Sequence, residues 1–166
     1  MIATYMADCG VDVFLVANNH IFDKGASGAQ RTIEKYRELY ATHGTMFLGV
    51  AEDSEEMEHG SLLMIGIRGM RLALLNFTYA TNGGRRNGWP KVCYMDDMDA
   101  IRYGISTAHR KDADMIIAMP HWGNEYELHT KTAHLPEIHE FSLSQKTHQK
   151  HGVHESVDFH LCSSIL

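Results

Sequence analysis

The chain has 166 residues, 44% of them hydrophobic, and a formal net charge of -6; that suffices for one domain with a real core and is too short to expect two. Its acidic balance, with basic residues gathering no further than isolated pairs such as Arg85-Arg86, argues against nucleic acid as the partner, since phosphate binding requires clustered Lys and Arg. Cys9, Cys93 and Cys162 are odd in number, widely spaced and without CxxC pairing, so neither a disulfide framework nor a zinc knuckle is implied.

Residues 2–9 read as the last turns of a helix closed by Gly10, with no signal peptide ahead of them. Val11–Gly25, VDVFLVANNHIFDKG, then opens with an apolar, β-branched run too short for a helix. It reads as a strand buried on both faces, the kind found inside a parallel sheet. The run stops at Ala17 and delivers Asn18, Asn19 and His20, polar side chains with no place in a core. Ser27 is placed to cap a helix running to about His43, with Ile33, Tyr36 and Tyr40 at helical spacing, Leu39 beside them and Gly44 as the stop. A short strand follows at Thr45–Val50, and the acidic run 51–60 reads as a solvated turn or short helix.

Ser61–Ile67 and Met70–Phe77 are two strand-like runs separated by Arg68-Gly69, the spacing of a tight hairpin, so the sheet is expected to be mixed. TYATNGGRRNGW, residues 78–89, is a long Gly/Asn loop ending at Pro90, and its length suits a binding loop or a plain exposed connection. A helix is predicted over Met98–Arg110, with Asp96 or Asp97 near its start and Met98, Ile101, Ile105 and Ala108 on the buried face. Asp114–Met119 is the next core strand, ending abruptly in Pro120, His121, Trp122, Gly123, Asn124, Glu125 and Tyr126. No apolar run approaches the ~20 residues needed to span a bilayer.

Two core strands thus each end by presenting a histidine. In open α/β sheets ligands gather beyond the carboxyl ends of the strands, and adjacent parallel strands would bring both rims into one crevice. Imidazole and amide oxygen suit borderline divalent metals such as zinc, manganese or iron. Each cluster also has a plainer reading: Asn-Asn is a common turn dipeptide, and Trp122 and Tyr126 can cap the sheet with His121 hydrogen-bonded beneath them.

VANNHIFDKG, LLNFTYATNG and ADMIIAMPHWGNEYELH, in this order and roughly this spacing, resemble the bacterial capsule-synthesis family of poly-γ-glutamate proteins (the CapA type), within the calcineurin-like metallophosphatase superfamily. The resemblance covers about residues 1–130 and implies an α/β/β/α sandwich with a mixed sheet and a metal site at its strand ends. It implies that Asn19 is an amide metal ligand and His121 a further metal-binding histidine. It implies that His20 acts on the leaving group or steadies charge in the transition state. Asn18, Asp23, Asn82, Trp122, Glu125 and Tyr126 become supporting or substrate-facing positions. The implied chemistry is metal-assisted hydrolysis, in which two cations about 3.5–4 Å apart share a hydroxide. An anionic polymer (poly-γ-glutamate or capsule polysaccharide) or a phosphorylated small molecule would be the partner. The cell envelope would be the location, with any membrane association made through segments outside this chain.

The sequence departs from the family pattern at both ends. The pattern begins earlier, with a strand ending in Gly-Asp that provides a metal-binding carboxylate, and ends later, in a Gly-His-x-His element; neither is found here. The chain therefore reads as a partial domain over 1–130 followed by an atypical His-rich tail over 131–166. Eight of the twelve histidines lie from His121 onward. A shifted reading frame near Thr130, or disorder, is the favoured account of the tail, against a metal-binding tail built on His148, His151, His154 and His160. With Asn19 and His121 left as first ligands, the expectation is weak binding of manganese, zinc or iron and little hydrolase activity. The non-catalytic alternative is a binding or assembly subunit for an anionic polymer, using Arg85, Arg86, Tyr79, Trp89, Trp122 and Tyr126; a generic phosphoesterase is the third reading. All three depend on Asn19 and His121 facing each other across one cleft.

Overall fold

The computed structural model describes residues 2–59, 62–123 and 159–161. Glu125, Tyr126, His148, His151 and His154 lie outside them.

Helix α1 (Ile2–Asp8) is followed by a turn through Gly10, at φ +91°, and by strand β1 (Val13–Leu15). β1 pairs in parallel with β2 (Met46–Leu48), Val13 opposite Met46 and Leu15 opposite Leu48. Between them, α2 (Gly25–His43) makes the crossover and returns over the pair. Ala29, Ile33 and Leu39 are fully buried on its inner face, and the Tyr36 ring lies between those of Phe14 and Phe47. Gly44, at φ +72°, closes α2 and sends its N–H to the Tyr40 carbonyl.

Three expectations for this half are corrected. β1 is not buried on both faces: Leu15 is 38% exposed, because β2 is its only strand partner among the described residues and α2 covers one side. Ser27 does not cap α2, which already begins at Gly25 without a side-chain cap, since the turn formed by residues 20–25 delivers the chain directly into the helix. Tyr40 is 61% exposed, being a position beyond the stripe that Leu39 anchors.

The predicted strand Thr45–Val50 is divided at Gly49. With φ +101° there, the chain leaves β2 and enters β3 (Val50–Ala51), which pairs antiparallel with β6 (Lys91–Val92). β6 was not legible in the sequence, since two residues carry no period. The acidic run does contain a short helix, α3 (Ser54–His59). Glu52 before it and Glu56 within it both pair with Arg37 of α2, tying the run to the fold.

The hairpin is present as read: β4 (Leu62–Ile67) and β5 (Met70–Thr78) are antiparallel, and both turn residues, Arg68 and Gly69, have positive φ, as a twisted two-residue hairpin requires. Helix α4 (Met98–Arg110) leads to β7 (Met115–His121), which pairs in parallel with β5. β7 runs past the expected end at Met119, because its register with β5 continues to Thr78 opposite His121. β8 (Phe159–Leu161), within the stretch set apart as a tail, adds backbone pairing parallel to β7. The sheet order is β4-β5-β7-β8, mixed as expected.

Strand alternation separates two cores. Ala73, Leu75 and Phe77 on one face of β5 meet Ile116 and Ala118 of β7 and Ile101, Ile105 and Ala108 of α4. Val16, Ala17, Ile21, Phe22 and Val50 pack with Ala29 and Ile33 of α2 in the other. Asn76, on the opposite face of β5 from Leu75, points toward that second group and bonds Ala17. The α/β fold thus has a helix over each core, with the β1 and β7 ends meeting between.

Candidate active site

Beyond Leu15 the β1–β2 register ends, and the amides that follow need acceptors of their own. Val16 N–H still reaches the Leu48 carbonyl, but Ala17 N–H donates to Asn76 Oδ1 at 2.8 Å. From there the backbone turns. Asn18 donates to the Val16 carbonyl and accepts from the His20 N–H, so its side chain builds the turn. This is the plainer reading of Asn18, and it leaves Asn19 and His20 presented outward.

Asn19 and His121 do meet. The His121 Nε2 and Asn19 Oδ1 atoms are 3.0 Å apart, joining positions 102 residues distant in the chain. His121 is half-buried; burial first, and the nearby His20 charge second, lower its pKa from the usual 6.5. Both effects favour the neutral ring, and since the amide oxygen can only accept, Nε2–H is donated to it. The His121 carbonyl accepts from Tyr79 N–H at 2.9 Å, which fixes the end of β7 to the start of the long loop.

That loop supplies the third member. Asn82 N–H donates to the Asn19 carbonyl at 2.8 Å, and its side-chain amide donates to Asp23 Oδ1 at 3.1 Å. Asp23 Oδ2 lies 2.7 Å from His20 Nδ1. The carboxylate can only accept, so Nδ1–H donates to it, and the Asn82 side-chain amide stands 3.1 Å from the same nitrogen. Hydrogen bonds from His20, and then from Asn82, hold the Asp23 carboxyl below its ordinary 3.8. Asn18, Asn19, His20, Asp23, Asn82 and His121 therefore share one surface, although β1 and β7 are not neighbours in a sheet.

Trp122 does not join them. Its side chain packs against the α4 core, and its buried Nε1–H has no partner among the described residues. Asn76, which bridges the two strand ends, was not singled out from the sequence; the only signal was an amide in the middle of an otherwise apolar strand.

On the other side of the loop lies a pocket of ≈ 340 Å³ lined by Tyr79, Thr81, Arg85, Tyr94 and Asp96, among others. Thr81 and Tyr94 share a 2.8 Å hydroxyl bond, and the Arg85 guanidinium stands 4.1 Å above the Tyr94 ring while pairing with Asp96. Arg86 lies over Phe22 at 5.6 Å.

A divalent cation is implied by the resemblance, and the donors can be tested against it. Two ligands ~2.1 Å from one ion and at right angles stand about 3.0 Å apart, which is the Asn19–His121 separation. A cation would take the Nε2 lone pair only after its proton moved to Nδ1. Yet these are two neutral donors, and among the described residues no group of three His, Cys, Asp or Glu converges on a common point. Protein zinc sites use three or four ligands. The described residues alone do not make up a metal site.

The family model of the bacterial capsule synthesis protein PGA_cap matches residues 1–142. The chain belongs to this family. Among curated proteins, a capsule biosynthesis protein, CapA from Bacillus anthracis, is 29% identical over 125 residues, covering 72% of this chain. The chain spans 29% of that relative's length. Among solved structures, the NAD nucleotidase NadN of Haemophilus influenzae superposes on 74% of this chain and 21% of its own, at 17% identity and a TM-score of 0.47. That likeness is too distant to assign any residue. Membership in the capsule synthesis family thus rests on sequence over most of the chain. No helix among the described residues is long and apolar enough to cross a membrane.

Proposed function

We propose that this chain carries one wall of a metallophosphatase-like hydrolytic site that works in capsule-polymer production at the bacterial cell envelope. The observation that carries the reading is the 3.0 Å approach of Asn19 Oδ1 and His121 Nε2, from two strand ends that the sequence separates. Burial shifts His121 toward the neutral form, the form a ligand needs. His20, oriented by Asp23, can pass a proton to or from the leaving oxygen, with positive charge on the ring balanced by the carboxylate. Asn82 steadies that carboxylate and joins the wall to the pocket loop. The substrate class is a phosphoester or amide of an anionic polymer, or a small phosphorylated molecule, with its extension lying along the pocket beside Tyr79 and Tyr94. A bound manganese, zinc or iron ion would supply charge neutralisation and an activated water.

The non-catalytic alternative relies on Arg85 and Arg86 to hold a polyanion. Arg85 is already paired with Asp96 and Arg86 is seated over Phe22, so part of the charge this reading relies on is already engaged within the chain. The hydrolytic reading is the better supported.

Titrating zinc or manganese into the chain, followed by calorimetry and by NMR of assigned side chains, tests the proposal. Weak binding, in the millimolar range expected of a two-donor site on the order of 4 kcal/mol, should shift or broaden Asn19 and His121 and vanish in His121→Ala. Metal that leaves these two residues undisturbed overturns the site. Micromolar binding lost in His121→Ala overturns its weakness.

A further inference from the structure

The two strand ends that form the site do not pair with each other, so their separation must be held by something other than a ladder. Asn76 lies on β5 between them, 2% exposed. Its Oδ1 accepts from Ala17 N–H and its Nδ2 donates to the Met119 carbonyl, each at 2.8 Å. Ala17 stands two residues before Asn19, and Met119 two residues before His121. We infer that Asn76 is the positioning residue of this site: its buried amide clamps the main chain two residues ahead of each facing side chain, and so sets the distance between Asn19 and His121.

The chemistry favours an amide and nothing else at this position. A buried polar side chain is costly unless every bond it can make is made, and an aliphatic residue would serve packing alone. Aspartate would still accept from Ala17 but would turn an unprotonated oxygen toward the Met119 carbonyl. Leucine, of similar shape, can do neither. Gly49 completes the arrangement. A Cβ there would stand 2.7 Å from Ala17 N and closer still to Asn76 Oδ1, so only glycine admits the clamp. Thr78, also buried and two residues further along the same face, donates to the Ala80 carbonyl where the pocket loop begins. The even-numbered face of β5 thus bears polar groups that bond only to main chain at the site's edge.

The significance of the clamp for catalysis rests on the function proposed above; the clamp itself does not. Asn76→Asp, Asn76→Leu and a control, Leu75→Ala on the opposite face of β5, are compared by NMR at one pH of about 8, above the usual imidazole range. The side-chain signals of Asn19 and His121 should move in both Asn76 variants and stay in place in Leu75→Ala, although that variant also loses stability. Ala17 amide exchange should rise by roughly two- to tenfold in Asn76→Leu, the worth of one hydrogen bond. Folded Asn76 variants with unmoved Asn19 and His121 signals overturn the proposal, as does an equal displacement in Leu75→Ala. Should the Asn76 variants not fold, the unaltered chain decides: slow exchange of the Asn76 side-chain amide, matching the core of β5, upholds the clamp, and exchange at solvent rate overturns it. Signals that follow Asn76 in a chain that zinc and manganese leave untouched would sink the functional reading while the clamp stands.

Discussion

At the scale of single residues, the site depends on side chains that bond backbone as much as on those that face outward. Gly49 illustrates it. Its φ of +101° and the closeness of Ala17 and Asn76 leave no room for a methyl group. Gly49→Ala should lower unfolding stability by about 2 kcal/mol or more, combining backbone strain with overpacking, as read by denaturant titration. Asp23 gives a pH test. Its folded pKa is depressed below 3.8, so its bonds to His20 and Asn82 contribute stability that is present above 3.8 and lost as pH falls through the folded value. NMR titration of the Asp23 carboxyl should show the low midpoint, and His20→Ala should return it toward 3.8.

At the scale of elements, the helices are anchored by different means. α2 enters without a side-chain cap and is held by its buried stripe and the Phe14–Tyr36–Phe47 rings. α4 has a conventional start: the Asp97 carboxylate accepts from Ala100 N–H at 3.2 Å, and its charge sits at the positive end of the helix. Asp97→Ala should therefore cost about 1 kcal/mol in thermal or chemical unfolding, without altering the Asn19–His121 contact, since α4 packs on the opposite face of β5. The long loop behaves as an element in its own right, stitched to Asn19 by Asn82, to β7 through Tyr79 and to Tyr94 through Thr81.

At the scale of the whole molecule, the two cores stand on either side of the site, and each holds or borders an ionisable group drawn partly or wholly out of water. Burial, and secondarily the Asp97 charge, push the Cys93 thiol up to about 12 from its usual 9.0. Burial also raises Tyr36 above its usual 10.0. Both folded values exceed the unfolded ones, so this stability is complete below about pH 9 and declines as pH rises, for Cys93 until about 12. Unfolding midpoints measured across pH 8 to 12 should fall, and less steeply in Cys93→Ala. Loosening either core releases one of the two strand ends, so ordering of Asn19 and His121 should fail in the same transition.

The sequence by itself determined the elements with a strong period or a decisive turn: the hairpin at Arg68-Gly69, the stripe of α4, the stop at Gly44, and the two strands ending in polar clusters. Each is local, written in neighbours a few residues apart, where sterics and alternation act directly. The mixed α/β class followed from these. What only the tertiary structure decided was long-range: that β1 and β7 meet across β5 without pairing, that Trp122 turns into the core while Asn82 turns toward His20, and that two-residue β6 exists at all. The contact between Asn19 and His121 closes over a hundred residues of intervening chain, and what holds it is a buried amide and a missing Cβ. No periodicity records such a bond, because hydrogen bonding across a fold is fixed by where the backbones arrive rather than by which residues precede them.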